Sequence, residues 1–345
     1  MFKKILYIIV IAFILFILGG LLLPKTVHVE RAVEISRPAS TLYTVLNDFR
    51  TFAVWSPWSE KDPDIVYEFS GAAAGSGAQM SWSGDPRLVG KGWQEITEST
   101  PWSLIRMRLD FDQQGRADSY FQITPTATGS TVTWGFDSNL VEEQGFFGSL
   151  LARYFGLFFD QWIGADYEQG LSRLKTYAES LPATDFSELE VEIIEVEPLD
   201  ILYIATNSRQ APDGDAVSLA AAYQEIILFM TEHSIEMQSQ PMAITRAWDA
   251  EDYRFDAAIP VATAVIEKPS GNVQAGQSPS GLAVRVVHRG PYDRMGPTYE
   301  RLAAYMTVHG LKEGRVSWEH YISDPGQTPQ DEILTHIYFL IEDEH

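Results

Sequence analysis

Residues 229–235 read FMTEHSI, and residues 305–311 read YMTVHGL. Both are aromatic-Met-Thr-x-His-x-aliphatic, at an offset of 76. Each closes a run with helical apolar spacing, SLAAAYQEIILFMTEH at 218–233 and TYERLAAYMTVHG at 298–310. A strand-like stretch precedes each run (DILYIATNS, 200–208; GLAVRVVHRG, 281–290). Two more follow each run: PMAITRAWD and YRFDAAIPV after the first, VSWEHYISD and ILTHIYFLI after the second. Two βαββ units in tandem give a pseudo-twofold α+β domain, with two sheets expected to meet around a central cleft.

Upstream, ESLPATDFSELE (179–190) mixes Pro, Ser, Thr and acidic residues without periodicity and reads as a linker, placed at 183–190. Before it, VHVERAVEI (27–35) alternates as a strand with Val27, Val29, Val33 and Ile35 on it. SRPASTLYTVLNDF follows, with Pro38 suited to a first helical turn and Leu42, Val45, Leu46 and Phe49 at helical spacing. Six short strand-like pieces come next, and a long amphipathic run from Gly148 to Glu179 closes the region. GAAAGSG (71–77) is Gly-rich but precedes no helix, so it reads as a hairpin tip rather than a phosphate loop. One strand, a short helix, a run of antiparallel strands and a long closing helix describe an α+β sheet wrapped around a helix.

The first 25 residues are of another kind. ILYIIVIAFILFILGGLLL (5–23) is uncharged, flanked by Lys3-Lys4 and Pro24-Lys25. At about 1.5 Å per residue it spans about 28 Å as a helix, close to the hydrocarbon thickness of a bilayer. GGLLLPK is a poor cleavage site, which favours an uncleaved single-pass anchor. Basic residues flank both ends, so their count does not set the orientation. The very short leading tail favours soluble domains in the periplasm or outside the cell.

Net charge is −22, and three lysines lie in the first 25 residues, leaving −25 on the remainder. Such a surface repels phosphate backbones, so nucleic-acid binding is not expected. The absence of cysteine excludes disulfides, thiolate metal sites, a cysteine nucleophile and a lipidated cysteine. The seven histidines have no metal-ligand spacing, and no metal or cofactor is expected. His233 and His309, at equivalent helix ends, suit C-terminal capping.

Residues 26–182, with WSPW at 55–58, MSWSGD at 80–85 and GADYEQGLSRLK at 164–175, resemble the SRPBCC or START-like helix-grip superfamily in its polyketide-cyclase-like branch. That resemblance implies an apolar ligand held between a curved sheet and the long helix, and members include lipid carriers, cyclases and plain binders. From the residues alone, Trp55, Trp58, Trp82, Trp93, Trp102 and Trp134 read as core or strand-face packing.

Residues 191–345, with HRGPYDRMGPTYERLAAYMTVHGL (288–311) and WEHYISDPGQTPQDEILTHIYFLI (318–341), resemble the GyrI-like small-molecule-binding family, which includes effector-binding domains of bacterial regulators. The resemblance implies a cleft in which Glu319 meets cationic aromatic ligands. Candidate ring residues are Tyr292, Tyr299, Trp318, Tyr321 and Tyr338, with Tyr203, Trp248 and Tyr253 from the first repeat. Strand alternation puts Glu319 and Tyr321 on one face, Trp318 and His320 on the other. The expected role is a membrane-anchored protein, held by residues 5–23, that binds a lipid or a cationic aromatic molecule and catalyses nothing. The alternatives are a hydrolase using Glu319 and Tyr321 as an acid–base pair, and a membrane-associated interaction module.

Overall fold

A computed structural model describes residues 2–112, 115–142, 144–208, 214–248, 253–262 and 271–342. The side chains of Asn207, Ser208, residues 214–217, Ala247, Trp248 and Tyr253 lie outside that description. The chain divides into two compact units, Met1–Ser187 and Glu188–His345.

The first unit opens with helix α1 (Phe2–Leu22), whose mean hydropathy is 3.1 and of which 6% is buried. It is long and apolar enough to cross a membrane. Strand β1 (Thr26–Ile35) follows within four residues, then α2 (Ala39–Leu46), α3 (Phe52–Trp55) and α4 (Pro57–Lys61). Strands β2 (Val66–Gly71), β3 (Ala78–Ser83), β4 (Lys91–Thr100), β5 (Leu104–Asp110), β6 (Arg116–Pro125) and β7 (Ser130–Asn139) form antiparallel neighbours with β1 closing beside β7, in the order β1-β7-β6-β5-β4-β3-β2. Glycine is required at the β2–β3 tip, where Gly71, Gly75 and Gly77 all have positive φ.

The long closing run is two helices rather than one, α5 (Phe146–Gly156) and α6 (Phe159–Glu179). At the break the Leu157 and Phe158 amides donate to Tyr154 and Phe155, three residues back, which tightens the turn and redirects the chain. Helix α6 lies across β1, α3 and α4. Its inward face (Tyr167, Leu171, Leu174, Ala178) is buried, with Tyr167 stacked on Trp134 at 3.9 Å. The first part of the expected linker also belongs to this unit: Phe186 is buried against Trp102, and Asp185 accepts a hydrogen bond from Ser40 at 2.7 Å.

The second unit contains β8 (Val191–Val196), β9 (Asp200–Ser208), α7 (Gly214–Glu232), β10 (Met242–Trp248), β11 (Tyr253–Pro260), β12 (Gln274–Gln277), β13 (Gly281–Arg289), α8 (Gly296–Val308), β14 (Glu313–Tyr321) and β15 (Leu334–Ile341). The two sheets expected around a cleft are instead one 8-stranded sheet among the described residues, ordered β12-β9-β11-β10-β14-β15-β13-β8. The reason is that the inner edges of the repeats, β10 and β14, pair antiparallel and satisfy each other's backbone groups.

The repeated motif has a physical role at each helix end. His233 Nδ1 bonds the Phe229 carbonyl at 2.9 Å and His309 Nδ1 the Tyr305 carbonyl at 2.8 Å, while each imidazole stacks on that same aromatic ring. Thr231 and Thr307 donate to the carbonyls four residues back, and Met230 and Met306 are buried against the sheet. Each helix buries apolar side chains on the sheet: Ile226 and Met230 for α7, Leu302 and Met306 for α8. Full burial of such a side chain contributes about 1.5–3 kcal/mol.

Candidate functional site

The register of the second sheet fixes where its chemistry sits. One row across the strands runs Ile204, Ala257, Ala243, Glu319, Ile337, Val286, Val191. Directly paired residues share a face, and Ile204 and Ala257 pack under α7 while Ile337 and Val286 pack under α8. Glu319 is therefore a single carboxylate at the middle of an apolar row, on the face that carries both helices. Its neighbour Ala243 is also its repeat equivalent at the offset of 76. The pairs Met242–His320 and Ile244–Trp318 exchange under the same offset, so the pseudo-twofold axis passes between Ala243 and Glu319.

Two phenols hold the carboxylate. The Tyr299 hydroxyl, from α8, donates to Oε1 at 2.6 Å, and the Tyr321 hydroxyl, two residues along β14, donates to Oε2 at 2.6 Å. The Tyr321 ring meets Tyr292 edge-on at 5.2 Å, and Tyr292, 36% exposed, forms the rim. Burial and then the Glu319 charge push the Tyr321 hydroxyl well above the ordinary tyrosine value, and the same two causes raise Tyr292. Tyr321 and Tyr292 thus stay protonated near neutrality and act as hydrogen-bond donors and as apolar ring surface.

The other candidates lie elsewhere. Trp318 and Tyr338 are paired and stacked at 4.6 Å on the opposite face, within an apolar cluster that includes Met242 and Ile244. Tyr203 packs on that cluster and donates to Gln274 at 2.9 Å. Neither Tyr203 nor Tyr338 joins Glu319, because each sits at the other strand parity. Trp248 and Tyr253 pair with each other at the β10–β11 end, and their side chains lie outside the described residues.

Three residues beside the site were not singled out from the sequence. Tyr223 of α7 is the offset-76 equivalent of Tyr299, donates to the Met242 carbonyl at 2.7 Å, and lies near enough to Tyr321 to help raise its pKa. The repeat offset was the signal that could have found it. Thr335 pairs with Tyr321, is fully buried, and its hydroxyl has no hydrogen-bond partner among the described residues. His288, paired with Thr335 and buried, bonds Thr298 of α8 at 2.9 Å and the Pro291 carbonyl at 3.3 Å.

The first unit holds a cavity of about 430 Å³ between its sheet and its helices. Met80, Trp82, Leu109 and Phe136 line the sheet side; Trp58, Phe155, Phe159 and Tyr167 line the helix side. Gln94, Arg116, Ser138, Asn139, Glu142, Gln144 and Asp166 add polar groups to a wall whose larger part is apolar and aromatic. Of the six tryptophans read as packing, Trp55 and Trp134 are buried core, whereas Trp58 and Trp82 face the cavity.

Residues 26–179 match the family described as polyketide cyclase / dehydrase and lipid transport, and residues 189–342 match the GyrI-like small molecule binding domain. The chain is a polyketide-cyclase-like domain followed by a GyrI-like domain. No curated protein matches it. Among solved structures it is similar to a hydrolase from Listeria innocua, at 13% identity over 44% of this chain and 91% of that one, with TM-score 0.33. It is similar to the EcmrR C-terminal domain at 17% identity over 45% of this chain and 99% of that one, with TM-score 0.36. It is also similar to the di-domain ARO/CYC StfQ from the steffimycin biosynthetic pathway, at 15% identity over 45% of this chain and 51% of that one, with TM-score 0.34. Both domain types are associated with small molecules, and in this chain each contributes a distinct setting: an apolar cavity in the polyketide-cyclase-like domain, a phenol-held carboxylate in the GyrI-like domain.

Proposed function

We propose that this protein is a membrane-anchored binder of two kinds of small molecule. The observation that carries the proposal is Glu319, held by two phenols at the centre of an apolar row in the GyrI-like domain. A flat cation placed against it gains charge neutralisation and the faces or edges of Tyr292, Tyr299 and Tyr321. The cavity of the polyketide-cyclase-like domain supports a second ligand, apolar and of lipid class, since aromatic and aliphatic side chains dominate its wall. Helix α1 supports the anchor by its length and composition, and the domains would then lie on the outer side of the membrane. Its contacts argue for its retention: Arg153, buried, donates to the carbonyls of Gly20, Leu21 and Leu23. Cleavage would strip those acceptors from the guanidinium of an arginine that is 8% exposed as a residue.

The test is a thermal-shift series on the full chain in lipid nanodiscs, with cationic dyes and neutral lipids, for the native protein and Glu319→Gln. A ligand that binds only the folded state at 100 times its Kd stabilises by about 2.7 kcal/mol. Cations are expected to stabilise the native protein and not Glu319→Gln, while lipids stabilise both. Stabilisation of both forms by cations would remove Glu319 as a ligand group. Ester turnover lost in both Glu319→Gln and Tyr321→Phe would replace binding in the GyrI-like domain by acid–base hydrolysis.

A further inference from the structure

Exposed large apolar side chains of the first unit outside α1 are scattered over α3, β2, the β3–β4 loop and β4, with one exception. On α5, the turn into α6 and the first turn of α6, Phe146, Phe147, Leu151, Leu157, Phe158 and Trp162 are all exposed. Between Gln144 and Trp162 the sequence has two charges, Arg153 and Asp160. Arg153 is turned inward onto the α1 carbonyls, and Asp160 is ion-paired to Arg31 at 2.9 Å. Apart from Asp160, paired to Arg31 but with its side chain 68% exposed, and Gln161 beside it, the outward surface of this segment is apolar and aromatic, in a protein of net charge −22.

The position of that surface relative to α1 decides what covers it. Tyr154 stacks on Phe16 at 4.8 Å and donates to the Phe16 carbonyl at 2.8 Å, and Phe147 meets Phe13 at 6.3 Å. The contact is close because Gly19 and Gly20 face it: a Cβ on Gly19 would lie 2.5 Å from the Tyr154 hydroxyl, and one on Gly20 would lie 2.7 Å from Leu150 Cδ2. At about 1.5 Å per residue, Phe16 lies about 9 Å and Phe13 about 14 Å short of the end of α1 at Leu22. Half the hydrocarbon thickness is about 15 Å. If α1 spans the bilayer, α5 cannot contact these residues from the water.

We infer that α5 and the α5–α6 turn are immersed in the bilayer beside the second half of α1, as an interfacial helix packed on the anchor. This rests on the reading of α1 as a membrane span. It has a consequence for the cavity: Ala152 and Phe155 of α5 and Phe159 of α6 are part of its wall, and Phe155 is also half exposed on the immersed surface. One side of the cavity then borders acyl chains, and its ligand class is an apolar molecule drawn from the membrane rather than from water.

The absence of cysteine makes the test direct. Nitroxide labels are placed one at a time by Phe147→Cys, Leu151→Cys and Phe158→Cys in the full chain, reconstituted in phosphatidylcholine vesicles. Ile11→Cys in α1 reports the anchor, and Glu68→Cys on exposed β2 reports the aqueous surface. Collisions with oxygen, which concentrates in the acyl region, are compared with collisions with a water-soluble nickel chelate. The labels at 147, 151 and 158 are expected to follow Ile11→Cys, oxygen-accessible and shielded from nickel, with Glu68→Cys the reverse. Nickel access at 147, 151 and 158 with Ile11→Cys shielded overturns the immersion and leaves the anchor intact. Nickel access at Ile11→Cys as well removes the anchor reading, and the immersion falls with it.

Discussion

The two halves of the GyrI-like domain share one frame and differ at its centre. Both repeats end their helix with an aromatic-stacked histidine on a carbonyl, and both bury the same methionine. At the axis, where residues 243 and 319 face each other, one repeat has alanine and the other glutamate. The tyrosine two residues along β14, Tyr321, has Thr245 as its equivalent. Tyr299 and Tyr223 are equivalent too, yet Tyr299 serves the carboxylate and Tyr223 a backbone carbonyl. Duplication built the frame, and asymmetric substitution at the axis built the candidate site. The alanine opposite Glu319 brings no second charge to the axis.

The strongest way to break this comparison is to restore symmetry with Ala243→Glu. Two carboxylates directly opposite on one face repel, and neither has a nearby counter-charge in the row. A loss of roughly 3 kcal/mol is expected at pH 7 in a denaturant titration. The loss should shrink as pH falls through the carboxylate range, since protonating one acid removes the repulsion. A loss independent of pH would mean crowding rather than charge.

Next come the tyrosines. Tyr299→Phe and Tyr321→Phe each remove a hydrogen bond to a charged acceptor and should cost about 1.5–3 kcal/mol. Tyr223→Phe removes a bond to a neutral carbonyl and should cost about 1 kcal/mol. Equal losses at positions 223 and 299 would contradict the asymmetry.

The pH profile sharpens it from the alkaline side. The Tyr321 hydroxyl has its folded pKa raised by burial and by Glu319, so the folded state holds that proton more tightly than the unfolded one. Its contribution to stability is complete below the unfolded value, about 10, and is lost as pH rises from there through the folded pKa. Tyr321→Phe should flatten the stability curve above pH ~10 relative to the native protein. The smallest effects are expected at Tyr203→Phe, which loses one exposed hydrogen bond worth about 1 kcal/mol or less, with cation affinity unchanged.

Much of this architecture was legible in the sequence because it rests on local signals. The alternation that pairs Glu319 with Tyr321 and the uncharged stretch 5–23 are patterns within one element, and the repeat at 229–235 and 305–311 is a short motif read twice. What escaped depends on register between distant strands. Tyr338 stands next to Ile337, which neighbours Glu319, but one step along a strand changes the face, and nothing local says which. The single sheet across β10 and β14 is likewise a pairing of residues some 76 apart. The cavity was missed for a related reason: Trp58 and Trp82 have the same composition as core tryptophans, and only the separation of sheet from helix distinguishes them. The break at Leu157–Phe158, with helical apolar spacing on both sides, left no mark in the periodicity.

The claim on which the account turns is that Glu319 makes the GyrI-like domain a receptor for cations. It is tested most directly by isothermal titration of the full chain in nanodiscs with a flat cationic dye and its neutral isostere, for the native protein and Glu319→Gln. The account predicts that the native protein prefers the cation by at least tenfold, about 1.4 kcal/mol, and that Glu319→Gln binds the two alike. A preference that persists undiminished in Glu319→Gln would contradict it.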